Sequence, residues 1–475
     1  MSSILETGNN KDKCQKFTPD SLVETMLDLA NYKTDLIGKT VLENSFGTGK
    51  ILKTIVARYI ESALNAGVSV VAIAEGLSQD IYGIEIDKEL FEKCISDLNA
   101  ITAQYALPSV EWNLINGDAL ETEFDFKFDY IIGNPPYISY KEMDGESRKT
   151  MRKKFESCSI GKFDYCYAFI EFGIKLLKSN GKLVQLIPNN IYKNVFAQKL
   201  RDILREHISW IYDYPSQRLF DKALTSVSVF LYEQDNISDI MHYKNMTYNF
   251  ERIVKRSTLD DKWMFINETA NTDDWIRFGD IFHASITIAT LYNKAFLLDS
   301  NCIKEEHIES AAIRAAVSPK SLRYQKEKFI IFPYKYDEEG LTRYSAAEFK
   351  RMFPNAAKHL QKYSDKLEAR NSDIGVTWFE YGRSQALAHL NTEKIVISTI
   401  ITGNVESYIV DKDTIPFSGI YVTIKDDRYN LNDAVSILKS EQFAEYVRNI
   451  GISVNGKSMR ITCKDINNYR FRRNC

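Results

Sequence analysis

Apolar positions recur along the first half of the chain with two different periods. In residues 16–30, KFTPDSLVETMLDLA, the residues Leu22, Val23, Met26, Leu27 and Ala30 lie at helical spacing. Thr18-Pro19 ahead of them predicts the helix start, with a hydroxyl N-cap and proline in the first helical position. A short strand then ends in Glu43, a Gly-bearing loop follows, and residues 50–65 are predicted helical. Residues 81–87, IYGIEID, predict a second strand ending in Glu85, after an extra helical segment. Residues 90–105 read as helix, 110–115 as a third strand closed by Asn116-Gly117-Asp118-Ala119, and 130–132 as a fourth strand. Further on, the pattern predicts helix over 161–177, strand over 181–188, helix over 195–207, a short strand over 210–213 and a β-branched, alternating strand over 225–231. Strand, glycine loop and helix in alternation predict a doubly wound α/β sheet, and such sheets bind ligands at the carboxyl ends of their strands.

Those strand ends are where the polar residues fall. Glu43, Glu85, Asp118 and Asn134 close four successive strands. Packing does not require a polar residue at every strand tip, whereas a nucleoside-like cofactor lying across the sheet edge, with a reacting group beside it, does. An acidic residue ending the second strand commonly binds ribose hydroxyls. The loop after Glu43 is not a phosphate-binding P-loop: Ile51 stands where Ser or Thr would follow Lys50, and position 44 is Asn rather than Gly.

The fourth strand delivers Gly133-Asn134-Pro135-Pro136-Tyr137. Two consecutive prolines fix two φ angles and remove two N–H donors, so the turn is stiff and its carbonyls are free to accept. Asn134 adds a side-chain carbonyl and Tyr137 an aromatic face. These suit a flat group carrying an NH2: two acceptors for the amine and a ring to stack on.

Composition narrows the picture. The 475 residues, 44% hydrophobic and 12% aromatic, suffice for a large core and suggest two domains or more. No apolar run approaches the ~20 residues of a membrane helix. The polar start MSSILETGNNKDK lacks a signal-peptide core, so a cytoplasmic protein is expected. Seven cysteines show no CxxC pair and no zinc-ligand spacing, so no metal is expected. Net charge is −3, yet residues 1–140 hold 11 Lys+Arg against 21 Asp+Glu, and the remainder is basic by 7. Only that remainder suits a phosphate backbone. Residues 141–155 concentrate Arg148, Lys149, Arg152, Lys153 and Lys154, as a surface loop or a DNA-facing loop would. Residues 236–258 are polar and irregular. In residues 320–336, Arg323, Lys326, Lys328 and Lys335 are interleaved with Tyr324, Phe329, Phe332 and Tyr334, as on a DNA-contacting surface. Residues 431–450 predict an amphipathic helix.

The ordered set of Thr18-Pro19, Glu43-Asn44-Ser45-Phe46-Gly47-Thr48-Gly49, Gly83-Ile84-Glu85-Ile86-Asp87, Gly117-Asp118 and Asn134-Pro135-Pro136-Tyr137 resembles the N6-adenine DNA methyltransferases of the gamma class, the TaqI-type enzymes of restriction–modification systems. The resemblance implies a Rossmann-like S-adenosylmethionine-dependent methyltransferase domain, with seven strands of which one is antiparallel. A mixed α+β DNA-recognition domain would follow. The implied limits are 1–240 for the catalytic domain, 241–259 for a linker and 260–475 for target recognition. The second half resembles the family's specificity domain more loosely.

By the same resemblance, Thr18 and Glu43 would lie near the methionine end of S-adenosylmethionine, with Gly47 and Gly49 in the loop beneath it. Glu85 would hold its ribose and Asp118 its adenine amino group. Asn134 and Pro135 would accept the target amine, and Tyr137 and Phe220 would stack on a flipped adenine. The family has Pro where this chain has Asn44, and an aromatic where it has Cys166. Expected partners are double-stranded DNA and a separately encoded restriction endonuclease, with the methyltransferase acting as a monomer. Two other readings stand beside this one, the first implied by the resemblance of the turn to other methyltransferases, the second by the Asn44 and Cys166 departures. One is a methyltransferase of the same turn acting on RNA or a protein glutamine. The other is a DNA-binding protein whose catalytic half is vestigial.

Overall fold

The computed structural model describes residues 18–215, 226–247, 249–265, 275–338, 340–454 and 458–472. The chain divides into two compact units, Met1–Ile266 and Asn267–Cys475.

The first unit is built on one sheet. Its strands are β1 (Val41–Glu43), β2 (Ile81–Glu85), β3 (Asn113–Asn116), β4 (Phe128–Gly133), β5 (Leu177–Pro188), β6 (Ile208–Tyr214), β7 (Val227–Glu233), β8 (Ile240–Asn245) and β9 (Phe250–Lys255). They lie in the order β3-β2-β1-β4-β5-β7-β6-β8-β9. β7 runs antiparallel to both β5 and β6, β8 is parallel to β6, and β9 is antiparallel to β8. This is the expected Rossmann-like methyltransferase arrangement, enlarged from seven strands to nine.

The additional pair, β8 and β9, occupies most of the stretch expected to be a linker. Strands that bury only one face look polar overall. In β8 only Met241, Tyr243 and Asn245 are buried.

Adjacent residues of the central strands feed opposite cores, as a pleated strand requires. Leu42, Ile131 and Leu183 enter one hydrophobic cluster, which also takes Ala168 and Ile170. Val41, Ile132 and Val184 enter the other, with Leu22, Met26, Leu52, Ile55 and Leu98. The helices supplying the second cluster are α1 (Asp20–Leu29), α2 (Lys50–Asn65), α3 (Val70–Asp80) and α4 (Lys88–Gln104). The basic stretch after the Pro-Pro turn, expected as a loop, is a helix, α5 (Gly145–Lys154). Asp144 caps it, accepting from the Glu146 and Ser147 N–H groups at 2.9 and 2.8 Å. Its last turn carries Arg152, Lys153 and Lys154, where cations favour the helix dipole. Arg148 and Arg152 turn inward: the Arg148 guanidinium lies 4.4 Å from the Tyr140 ring centre, and Arg152 donates to the Ser159 carbonyl at 3.1 Å. Helix α6 (Cys166–Lys175) then leads into β5.

The second unit mixes helices with small sheets. One four-stranded sheet orders Phe282–Ile286, Ile420–Ile424, Lys394–Ile397 and Ser407–Val410, all antiparallel to their neighbours. The helix expected over 431–450 is two helices, Leu431–Lys439 and Glu441–Ile450, broken where the Ser440 hydroxyl accepts from the Phe443 N–H at 3.1 Å. In the basic, aromatic stretch 320–336, Phe332 and Tyr334 are core residues. Arg323 is held by Glu406, its Nε lying 2.8 and 3.0 Å from the two carboxylate oxygens. Phe332 and Tyr334 of the expected DNA-facing surface are therefore packing, although Tyr324 is exposed. Among the described residues no helix is long and apolar enough to cross a membrane.

Candidate active site

The order β3-β2-β1-β4 brings Asp118, Glu85, Glu43 and Asn134 to the carboxyl ends of four neighbouring strands. The loop after β1 is shaped by glycines. Gly47 (φ +53°) and Gly49 (φ +70°) are left-handed, and a Cβ on Gly49 would lie 2.2 Å from the Cys94 sulfur. The turn folds back on β2: the Phe46 N–H donates to the Ile84 carbonyl at 3.1 Å, and the Gly47 N–H donates to the Glu85 carboxylate at 2.7 Å. The other Glu85 oxygen accepts from the Asp87 N–H at 2.8 Å. Burial nevertheless raises the Glu85 carboxyl above its ordinary range.

Glu43 is buried, and burial raises its carboxyl well above the usual carboxylate range, with the Glu85 charge adding to the effect. Its Oε2 has no hydrogen-bond partner among the described residues. Asp118 follows β3, and its Oδ1 accepts from the Leu120 N–H at 2.9 Å. The Gly117 N–H, beside it, donates to the Glu85 carbonyl at 3.0 Å.

The Asn134 turn is tied to two distant parts of the unit. Asn134 Nδ2 donates to the Thr18 hydroxyl at 3.1 Å, and the Ser45 hydroxyl donates to the Asn134 carbonyl at 3.3 Å. Thr18 is thus not the helix cap the sequence predicts. The capping position is Pro19, with no side-chain cap, and the Thr18 hydroxyl is committed to Asn134. Pro135 is buried. The half-buried Tyr137 packs against both clusters, and its hydroxyl donates to the Leu186 carbonyl at 2.8 Å. Phe220 lies outside the described residues.

Two residues beside this turn were missed in the sequence. Asp164, just before α6, accepts from the Cys166 N–H at 3.3 Å, and burial pushes its carboxyl up to about 6. Its charge adds to the burial that raises the Tyr137 hydroxyl. Gln185, in register with Gly133, is fully buried in β5. A lone amide within the apolar run LVQLIP was the signal for it.

The sequence also gave no metal cluster, yet the fold gathers Cys302, Glu306 and His359 in the second unit. Hydrogen bonds account for this group. The Glu306 carboxylate lies 2.9 Å from His359 Nδ1 and 2.5 Å from Lys362 Nζ, and His359 Nε2 lies 3.1 Å from the Ala295 carbonyl.

The arrangement can hold a cofactor along β1, β2 and β3 and present the Asn134 turn to a second reactant. Residues 54–220 match the Eco57I restriction-modification methylase family. The Type II methyltransferase M.BstVI of Geobacillus stearothermophilus is 27% identical over 225 residues, covering 44% of this chain and 40% of that protein. The Type II restriction enzyme and methyltransferase RM.Eco57I of Escherichia coli is 24% identical over 430 residues, covering 73% of this chain and 42% of that protein. The chain spans about two fifths of the length of these relatives. Among solved structures, the Type IIL restriction-modification enzyme MmeI in complex with DNA aligns with a TM-score of 0.61 at 13% identity, over 94% of this chain and 64% of that one. That likeness is one of fold.

Residues 54–220 thus resemble the Eco57I restriction-modification methylases, and the fold together with that likeness implies S-adenosylmethionine as cofactor. The residues present fit it: Glu43 offers a buried carboxylate oxygen without a partner, and a Cβ on Gly47 would meet nothing within 4 Å.

Proposed function

We propose that this chain is a DNA methyltransferase of a restriction–modification system, acting on the N6 amine of an adenine flipped out of the duplex. The observation that carries the reading is the Asn134-Pro135-Pro136-Tyr137 turn. It ends β4 beside three acidic strand tips, with its amide oriented by Thr18.

S-adenosylmethionine, when bound, supplies an electrophilic methyl on a positively charged sulfur. Thr18, Glu43 and the Gly47–Gly49 loop would hold its methionine end, Glu85 its ribose and Asp118 its adenine amine. Adenine's exocyclic amine is conjugated with the ring and is a poor nucleophile. The Asn134 side-chain oxygen and the Pro135 carbonyl would each accept one of its hydrogens. That favours a pyramidal nitrogen and aims its lone pair at the methyl. Because Asn134 Nδ2 donates to Thr18, the oxygen is the end of the amide left for the substrate. The positive charge developing on nitrogen meets dipoles that are already oriented. Holding the amine in line supplies most of the remaining acceleration. No covalent nucleophile is needed.

An adenine inside a duplex cannot reach this turn, and flipping it costs a few kcal/mol of stacking and pairing. Tyr137 and Phe220 would restore stacking, at ~1–3 kcal/mol per base–aromatic contact. Duplex DNA is thus the proposed partner, bound by a second unit acting in target recognition, and a separately encoded endonuclease is the proposed companion.

The test is expression in a host lacking adenine methylation, followed by mass spectrometry of its DNA and sequencing to map modified positions. N6-methyladenine at one short motif is the expected result. A folded protein that binds S-adenosylmethionine but leaves DNA unmodified would overturn the reading and direct the search to RNA and to protein glutamine.

A further inference from the structure

Three residues lie side by side across the sheet directly beneath the Asn134 turn. Gly133 ends β4 and is in register with Gln185 of β5. On its other side, β1 pairs Val41 with Tyr130 and Leu42 with Ile131, which brings Asn44, just past the strand, alongside Gly133. Leu42, Ile131, Leu183 and Phe230 enter one core, and Phe230 is the β7 partner of Gln185. By the two-residue period of the pleat, Asn44, Gly133 and Gln185 face that same side. The row reads amide, no side chain, amide.

Both amides are fully buried, and none of their four polar atoms has a hydrogen-bond partner among the described residues. Buried polar groups are seldom left so, and a tight polar gap between such groups is where ordered water is held. The glycine provides the room. A Cβ built on Gly133 would meet only Asn44 Oδ1, at 3.3 Å, and Glu43 Cγ, at 3.8 Å, within 4 Å. Two strand spacings set the amide-bearing backbones ~9–10 Å apart, a span that two side chains and one small polar molecule fill. An apolar residue at either position would satisfy the packing equally well, so the two amides matter as a pair.

We infer that Asn44 and Gln185 hold an ordered water against Gly133, and that this water-bridged pair positions the catalytic turn from below. Each amide has a donor and an acceptor, so the water can give one hydrogen bond and take another along the row. Its effect is to pin Gly133, and with it the direction in which Asn134 leaves the sheet. Asn44 and Gln185 are positioning residues here; neither touches the reacting amine.

The kinetic arm of the test rests on the methyl-transfer reading, while the structural and stability arms do not. A high-resolution crystal structure of the full chain should show one water within hydrogen-bond distance of both amides. A direct amide–amide bond, or a dry gap, would overturn the inference. Asn44→Leu and Gln185→Leu should each lower kcat about tenfold, because each leaves the opposite amide orphaned, with cofactor Kd unchanged. The double variant should lose no more than either single one. Losses that multiply would overturn the coupling, as would a fall in cofactor affinity with kcat preserved. Should the wild type methylate nothing, the functional reading fails. The same cycle read in thermal unfolding then decides the pair: non-additive changes support it and additive ones sink it. Should the variants not fold, the wild-type crystal structure decides alone.

Discussion

Asn134 and Thr18 are 116 residues apart in sequence, yet the Asn134 amide donates to the Thr18 hydroxyl at 3.1 Å. This bond fixes which end of the amide remains for a substrate. Thr18→Ala removes one hydrogen bond of ordinary strength and should lower kcat by roughly two- to tenfold, with cofactor affinity nearly unchanged. Thr18→Ser should retain the rate. Steady-state kinetics with a separate cofactor-binding titration would check this, and equal rates for the Ala and wild-type proteins would contradict it.

Asn134→Ala should abolish methyl transfer while the protein still binds S-adenosylmethionine, since Glu43, Glu85 and Asp118 lie on other strands. Calorimetry on the variant separates the two effects. Loss of cofactor binding as well would show that Asn134 has been given the wrong role.

Tyr137 joins two structural tasks that substitution can separate. Tyr137→Phe keeps the ring and loses the bond to the Leu186 carbonyl, so it should cost about 1 kcal/mol of stability and little rate. Tyr137→Ala should slow turnover roughly 5- to 150-fold if the ring stacks on a base. A rate unchanged in the Ala variant would dispose of the stacking role.

The sequence was most informative where one residue type answers one physical demand. Every strand tip that carries Glu43, Glu85, Asp118 or Asn134 was legible, because a carboxylate or amide at the end of an apolar run stands out. Thr18 shows the limit. As a hydroxyl before proline it fits an N-cap by local rules, and only the folded chain places it against Asn134. The β8–β9 pair was read as a linker because a strand with one solvated face has no continuous apolar run. Phe332 and Tyr334 were assigned to a surface because interleaved charge hides which face of a strand is buried. Gln185 was passed over inside LVQLIP, where its apolar neighbours dominate the pattern.

Asp164 gives a pH dependence with a definite sign. Its folded carboxyl is raised to about 6, above the unfolded value near 4, so the folded state binds the extra proton between these limits. Its contribution is present at low pH and is lost as pH rises through about 6. Denaturant midpoints for wild type and Asp164→Asn, measured from pH 4 to 7, should therefore diverge, the wild type losing stability relative to the variant. Parallel curves would show that the carboxyl is not perturbed.

In the second unit, the buried Lys394 ammonium, with three N–H donors, lies among four backbone carbonyls, those of Leu390, Thr392, Asp411 and Lys412, at 2.7, 2.9, 2.9 and 3.1 Å. Lys394→Met keeps the volume and removes the ammonium's hydrogen bonds to those carbonyls, so it should destabilise the unit by about 2–4 kcal/mol. Chemical denaturation followed by a probe in the second unit would measure it. A change below 0.5 kcal/mol, on the order of a neutral surface substitution, would show that the carbonyls find other partners.

The position of β7 also governs when the first unit can exist at all. On one side the sheet runs β3-β2-β1-β4-β5, on the other β6-β8-β9, and among the described strands β7 alone is hydrogen-bonded to both halves. During synthesis β6 emerges before β7, so until Glu233 has left the ribosome the nascent chain carries the open edge of β5 and an unpaired β6. A chain stopped between Tyr214 and Val227 would keep both open, which exposes it to chaperone capture and aggregation rather than leaving a smaller folded unit.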